Sequence, residues 1–316
     1  MKQLIKKIPL PITCLMLALA AAGNLVQSYG NIYRNIFGLL SAIILVIVLC
    51  KIIIYPGQVK QELKNPVVAS VFPTITMGSM LLSTYLKPYF PTAAYWMWNI
   101  SVIVHLYLMI KFTLNYILKF NMKNVFPSWF IVYVGIVVGS VTAPVFSMEV
   151  VGKILFWIGL ISYFGILPLA LIKIRLKTIP EPALPTIAIF AAPVALCLAG
   201  YINSFEIKNI TIIIGLAALS QLSYVLVLLK LPKLLKLKFY PSFSAFTFPL
   251  VITAISLKLT NGFLASIYRP LPLLKYIVSF EVIVAVLIVL YILFEYIKFL
   301  FLTKEENIST ISIKSV

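Results

Sequence analysis

The chain has 316 residues, of which 62% are hydrophobic and only 11% charged. A soluble globule of this size cannot cover its surface with so few charges, which excludes a soluble enzyme, a disordered chain and a disulfide scaffold. The 26 basic residues outnumber eight acidic ones, all Glu, for a net charge of +18. They stand in small groups between apolar runs, so they read as membrane-topology signal and not as a nucleic-acid surface.

A membrane span needs about 20 mostly apolar residues. Ten such runs are predicted in chain order, at 8–27, 35–55, 67–86, 93–116, 127–146, 151–173, 183–203, 209–230, 243–260 and 271–300. The fold class is an all-α integral membrane protein, one domain over 1–316. The first run has features of a secretory signal, with Lys6 and Lys7 before it and Ala18-Leu19-Ala20 resembling a cleavage site. Nine later runs in the same style argue instead for a span. With ten spans, nineteen basic residues fall on the side of the N-terminus and seven, including Arg269, on the other. That asymmetry predicts both termini in the cytoplasm and the chain in the cell membrane. Lys304 and Lys314 belong to the cytoplasmic set, and residues 1–7 and 301–316 are expected to be short tails. Trp96, Trp98, Trp129 and Trp157 lie near run ends, where interfacial anchors are expected.

Proline sorts by parity. The odd runs carry Pro11, Pro73, Pro127, Pro193 and Pro249, at intervals of roughly 55–65 residues. The even runs have only Pro168, late in the sixth, and Pro272, opening the tenth. This pattern predicts five parallel helical hairpins, an odd helix followed by an even one. Proline kinks a helix and frees a carbonyl, which belongs against protein or water and not against lipid. The odd helices are therefore expected inside, around a central pore, and the even helices outside.

Catalytic chemistry is sparse. No GxxxxGK[ST], HExxH, CxxC or GxSxG pattern occurs, and Cys14, Cys50 and Cys197 lie in or beside apolar runs. No enzyme activity, cofactor or metal is expected. The sole histidine is His105, and Glu281 is the one carboxylate well inside a run. Both are intramembrane ionisable candidates, expected to be structural, with proton or sodium coupling as the alternative for Glu281. Lys258 is expected to snorkel, or else to attract anions to the outer mouth. Thr74, Ser128 and Thr247 are candidate polar residues on the odd helices. A passage without acidic rings does not favour cations, and lysines at one mouth concentrate anions. In the ninth run, Phe243 and Phe246 share one face and Phe248 points elsewhere, beside Pro249. A large ring at a kink can plug and dewet a narrow passage, or can simply pack.

Four segments stand in order on odd runs: Val71-Phe72-Pro73-Thr74 with Met77-Gly78, Pro127-Ser128-Trp129, Ala191-Ala192-Pro193, and Thr247-Phe248-Pro249. In these the chain resembles the tellurite-resistance/dicarboxylate transporter family, which includes the TehA-type bacterial proteins and the plant guard-cell slow anion channels. The resemblance implies a homotrimer with a pore in each protomer, kinked at Pro73, Pro127, Pro193 and Pro249. It also implies that Phe248 is the pore gate, a role that Phe243 and Phe246 do not inherit. One departure is the first run, where Thr13-Cys14 and Ala18 stand in place of glycines common in relatives, which points to a narrower pore. The function expected is passive passage of small anions through a Phe-gated pore. The alternatives are a coupled C4-dicarboxylate carrier of malate type, a tellurite or oxyanion-resistance exporter, and a membrane protein without a pore. The expected partners are small anions, the lipid bilayer and further copies of the chain, with no nucleic acid.

Overall fold

The computed structural model describes residues 2–268 and 271–302, and over these the chain is helical with no strand. Arg269, Lys304 and Lys314 of the charge partition, and the tail beyond 302, lie outside the described residues. Nine helical stretches among the described residues are long and apolar enough to cross a membrane. The helices run α1 Lys2–Lys7, α2 Ile12–Val26, α3 Asn31–Ile54, α4 Pro56–Glu62, α5 Pro66–Val71, α6 Thr74–Leu86 and α7 Pro91–Phe112. They continue as α8 Trp129–Tyr133, α9 Val137–Thr142, α10 Glu149–Arg175, α11 Ala192–Ser204, α12 Ile210–Leu234, α13 Thr247–Ser266 and α14 Leu274–Leu302.

The fifth predicted run, 127–146, is not one helix. It is split into α8, α9 and a 3-10 turn over Ala143–Phe146. Gly135 sits where the ladder fails: its N–H lies 3.2 Å from the carbonyls of both Phe130 and Ile131. A Cβ there would come within 2.1 Å of the Ile131 carbonyl, so the tight path needs glycine. Pro144 then breaks the run again.

The other proline-bearing stretches are broken in the same style. α1 and α2 part before Pro11, α5 and α6 part at Pro73, and 3-10 stretches Glu181–Ala191 and Pro241–Phe246 lead into α11 and α13. The carbonyls at these breaks find hydroxyls nearby. Thr13 Oγ1 donates to the Leu10 carbonyl at 2.9 Å, Thr186 to Ala183 at 2.6 Å and Thr247 to Ser244 at 2.7 Å. Bonds of this kind let a broken helix lie inside a membrane protein without orphaned carbonyls.

Burial separates two classes of segment. Ile12–Tyr29, Pro66–Leu86, Glu181–Ser204 and Pro241–Ser266 are 72–83% buried, whereas the unbroken helices are 22–33% buried. A fifth buried segment is the split run, whose α8 and α9 are buried almost throughout. α2 packs against α6, α6 against α9, α9 against α11, α11 against α13, and α13 back against α2. Gly78 lets the α2–α6 pair close up, since a Cβ there would meet the Met16 methyl at 2.2 Å and the Leu17 backbone at 3.4 Å.

Two sequence expectations need correction. Trp98 and Trp129 are buried inside the protein and so do not face lipid as anchors would: Trp98 Nε1 donates to Thr142 Oγ1 at 2.8 Å and Trp129 Nε1 to the Asn124 carbonyl at 2.9 Å. Trp96 and Trp157 are exposed. The helix of the eighth run, α12, also extends past its expected end at 230 to Leu234 and takes in Pro232.

Candidate functional site

Three cavities lie along the buried segments. The middle one, of about 30 Å³, is lined by Cys14 and Leu17 of α2, Thr74 and Met77 of α6, and Phe130, Ile131, Val134 and Gly135 in and after α8. Ile189, Pro193 and Leu196 of the seventh stretch, with Ser244, Phe248 and Pro249 of the ninth, complete its wall. Every buried segment thus contributes to one small space, and none of the more exposed helices does. Its volume suits a water or two and no hydrated ion.

Two larger cavities flank it. One, of about 520 Å³, is bounded by the starts of the first, third, seventh and ninth segments, from Pro9 and Pro11 to Pro66, Pro182 and Pro241, with α4. The other, of about 740 Å³, is bounded by the ends of the first, fifth, seventh and ninth, from Asn24 to Val141, Asn203 and Ser266.

The second flanking cavity is basic. Lys208 and Lys258 line it and, among the described residues, no acidic one does. Lys258 is half-buried, and its ammonium donates to the Leu25 carbonyl and to Ser28 Oγ, both at 2.7 Å. Those bonds hold it at the rim of this cavity. The first flanking cavity carries Glu62 and Lys64. Glu62 is already paired with Lys51 at 2.6 Å. Tyr240, at the same rim, donates to Glu181 Oε1 at 2.8 Å. Burial, and then the bond to Glu181, hold its hydroxyl above the usual tyrosine range, so it stays protonated and donating at neutral pH.

The candidate residues divide around the middle cavity. Phe248, Thr74, Pro193 and Pro249 line it, while Pro73, Pro127, Ser128 and Thr247 do not. The hydroxyls are occupied by structural bonds. Thr74 Oγ1 lies 2.7 Å from Thr13 Oγ1 and 2.8 Å from the Val71 carbonyl. Ser128 Oγ lies 2.6 Å from Ser70 Oγ and ties the third stretch to the fifth. Phe243 and Phe246 stack edge-on at 5.1 Å and join Phe239, itself 5.3 Å from Tyr296 on α14.

His105 and Glu281 lie away from all three cavities. His105, fully buried, has Nδ1 at 2.7 Å from Thr76 Oγ1 and Nε2 at 3.1 Å from the Val132 carbonyl, linking α7 to α6 and α8. Glu281 is fully buried on α14, facing Gln221 and Tyr224 of α12, and neither of its carboxylate oxygens makes a well-formed hydrogen bond to the described residues. Ser220 Oγ, Gln221 Nε2 and Tyr224 OH on α12 also lack a well-formed partner among the described residues. Sequence reasoning missed Phe130 and Gly135 as lining residues. Phe130 follows Pro127-Ser128-Trp129 directly, and that proximity to a kink was its only signal.

No curated protein matches the chain. The family model described as voltage-dependent anion channel matches residues 12–297, from the start of α2 into the last turns of α14, and the chain belongs to that family.

Proposed function

We propose that the protein is a passive anion channel of the cell membrane, closed at rest by the side chain of Phe248. On this reading, ten spans form five parallel hairpins, with the broken helices around a pore and the straight ones outside. Both termini are cytoplasmic and the assembly is a homotrimer. The observation that carries the reading is the cavity of about 30 Å³ shared by all five buried segments, with Phe248 in its wall and a wider cavity at each end.

The mechanism follows from charge and water. An apolar constriction this small holds no ion, so the path is dewetted while the ring stands in it. Swinging the ring aside joins the two wide cavities. Lys208 and Lys258, with no acidic neighbour in that wall, raise the local anion concentration. The apolar walls beyond bind anions weakly, which permits fast exit. The test is chloride flux in proteoliposomes. Phe248→Ala raises it well above wild type; equal fluxes overturn the gate.

One observation favours a second reading, a coupled carrier: the buried carboxylate of Glu281, without a well-formed partner among the described residues. That reading requires malate uptake that depends on a pH gradient and is abolished by Glu281→Gln.

A further inference from the structure

Outside the line of the three cavities is a cleft of about 420 Å³ between the end of α3, α4, α5 and the end of α7. Its floor is apolar, with buried Val59, Phe72 and Phe112. Its rim carries Lys60 and Lys111, both exposed, together with Asn115, and among the described residues no acidic one lines it. The volume is that of a ligand site and not of a packing gap.

The local sequence builds this shape. Pro56 starts α4 directly after α3, which lays a short helix across the end of the bundle with Val59 turned inward and Lys60 outward. Opposite, α7 passes into a π turn over Thr113–Ile117, closed by the Leu118 N–H donating to the Thr113 carbonyl at 3.0 Å. The wider turn carries Asn115 to the rim, and such turns cluster at binding sites.

We propose that this cleft binds an anionic phospholipid, with an acyl chain along the floor and the phosphate between Lys60 and Lys111. An apolar trough alone would take any lipid tail. Two lysines without a counter-charge at its head select a negative headgroup, the chemistry of basic pockets between membrane helices. Phe72 in the floor directly precedes Pro73, so the bound chain packs against the α5–α6 break. This inference does not rest on the channel reading.

The test uses the full chain in detergent with dioleoyl phosphatidylglycerol, dioleoyl phosphatidylcholine or glycerophosphate, read by native mass spectrometry and thermal unfolding. Phosphatidylglycerol is retained and raises Tm, and the other two do neither. Lys60→Gln and Lys111→Gln each weaken its retention about fivefold, without changing Tm in plain detergent. Leu108→Trp, which fills the trough, removes it. Equal retention of phosphatidylcholine, the full effect from glycerophosphate, or undiminished retention in the double lysine variant overturns the proposal.

Discussion

Lys51 and Glu62 form an ion pair 2.6 Å long, and the same ammonium donates to the Ile8 carbonyl. The second contact explains the first. With the Ile12 N–H bonded to Pro9 instead, Ile8 has lost its helical donor at the break before Pro11. A lysine at the end of α3 replaces that donor, and Glu62 on α4 balances its charge. Lys51 is 1% exposed, so removing its partner leaves a buried charge. Glu62→Gln is expected to cost about 3 kcal/mol, and Lys51→Met with Glu62→Gln less than either alone. Reversible denaturation in mixed micelles measures both; additive losses would remove the coupling.

The three phenylalanines around Pro249 differ in what they touch, so they should differ in what they do. Phe243 and Phe246 lie in an aromatic cluster against α14 and are fully buried. Truncating either to Ala should cost about 3–5 kcal/mol and leave the resting flux low. Phe248 borders the middle cavity and belongs to no such cluster, so Phe248→Ala should cost less and raise chloride flux. Liposome flux and melting temperature, measured on all three variants, separate the two roles. A flux increase in Phe243→Ala would contradict the assignment.

The parity of proline makes the broken stretches legible in the sequence, because a freed carbonyl has few tolerable places in a bilayer. The even helices are legible for the opposite reason: uninterrupted apolar length needs no context. Hydropathy joins the fifth run into one helix because it does not register Gly135, whose effect is on backbone path and not on transfer energy. Position near a run end makes Trp98 and Trp129 look like anchors, but it does not show which way an indole points. Their N–H groups have partners at Thr142 and Asn124, distant or non-periodic in sequence. The roles of Thr74 and Ser128 are half legible. Hydroxyls on odd helices are visible, but their partners, Thr13 and Ser70, lie on other segments.

Glu281 is a costly group by physical reasoning. It is fully buried, and neither its oxygens nor polar atoms of the facing Gln221 and Tyr224 make well-formed hydrogen bonds among the described residues. Unless that carboxyl has a transport role, Glu281→Gln should stabilise the protein by about 1–3 kcal/mol, since it removes an ionisable group at constant shape. Thermal unfolding decides the stability and malate uptake the role. Stabilisation with unchanged anion flux assigns Glu281 no part in transport, and loss of pH-driven uptake assigns it to a carrier.

Lys258 offers the sharpest electrostatic test, because its ammonium is fixed at the rim of its cavity by Leu25 and Ser28. A charge held at a cavity rim raises the local anion concentration, and the field of such charges speeds entry by about tenfold or more at low salt. Salt screens it, with a Debye length of about 30 Å at 0.01 M and about 3 Å at 1 M. In a Phe248→Ala background, where on the proposed reading the gate no longer limits flux, Lys258→Gln should therefore cut chloride conductance several-fold at 0.01 M salt. At 1 M the two proteins should conduct almost alike. Lost packing would instead lower conductance by the same factor at every ionic strength. A planar-bilayer series over that salt range distinguishes the two, and a salt-independent loss would mean that Lys258 shapes the mouth without drawing anions to it.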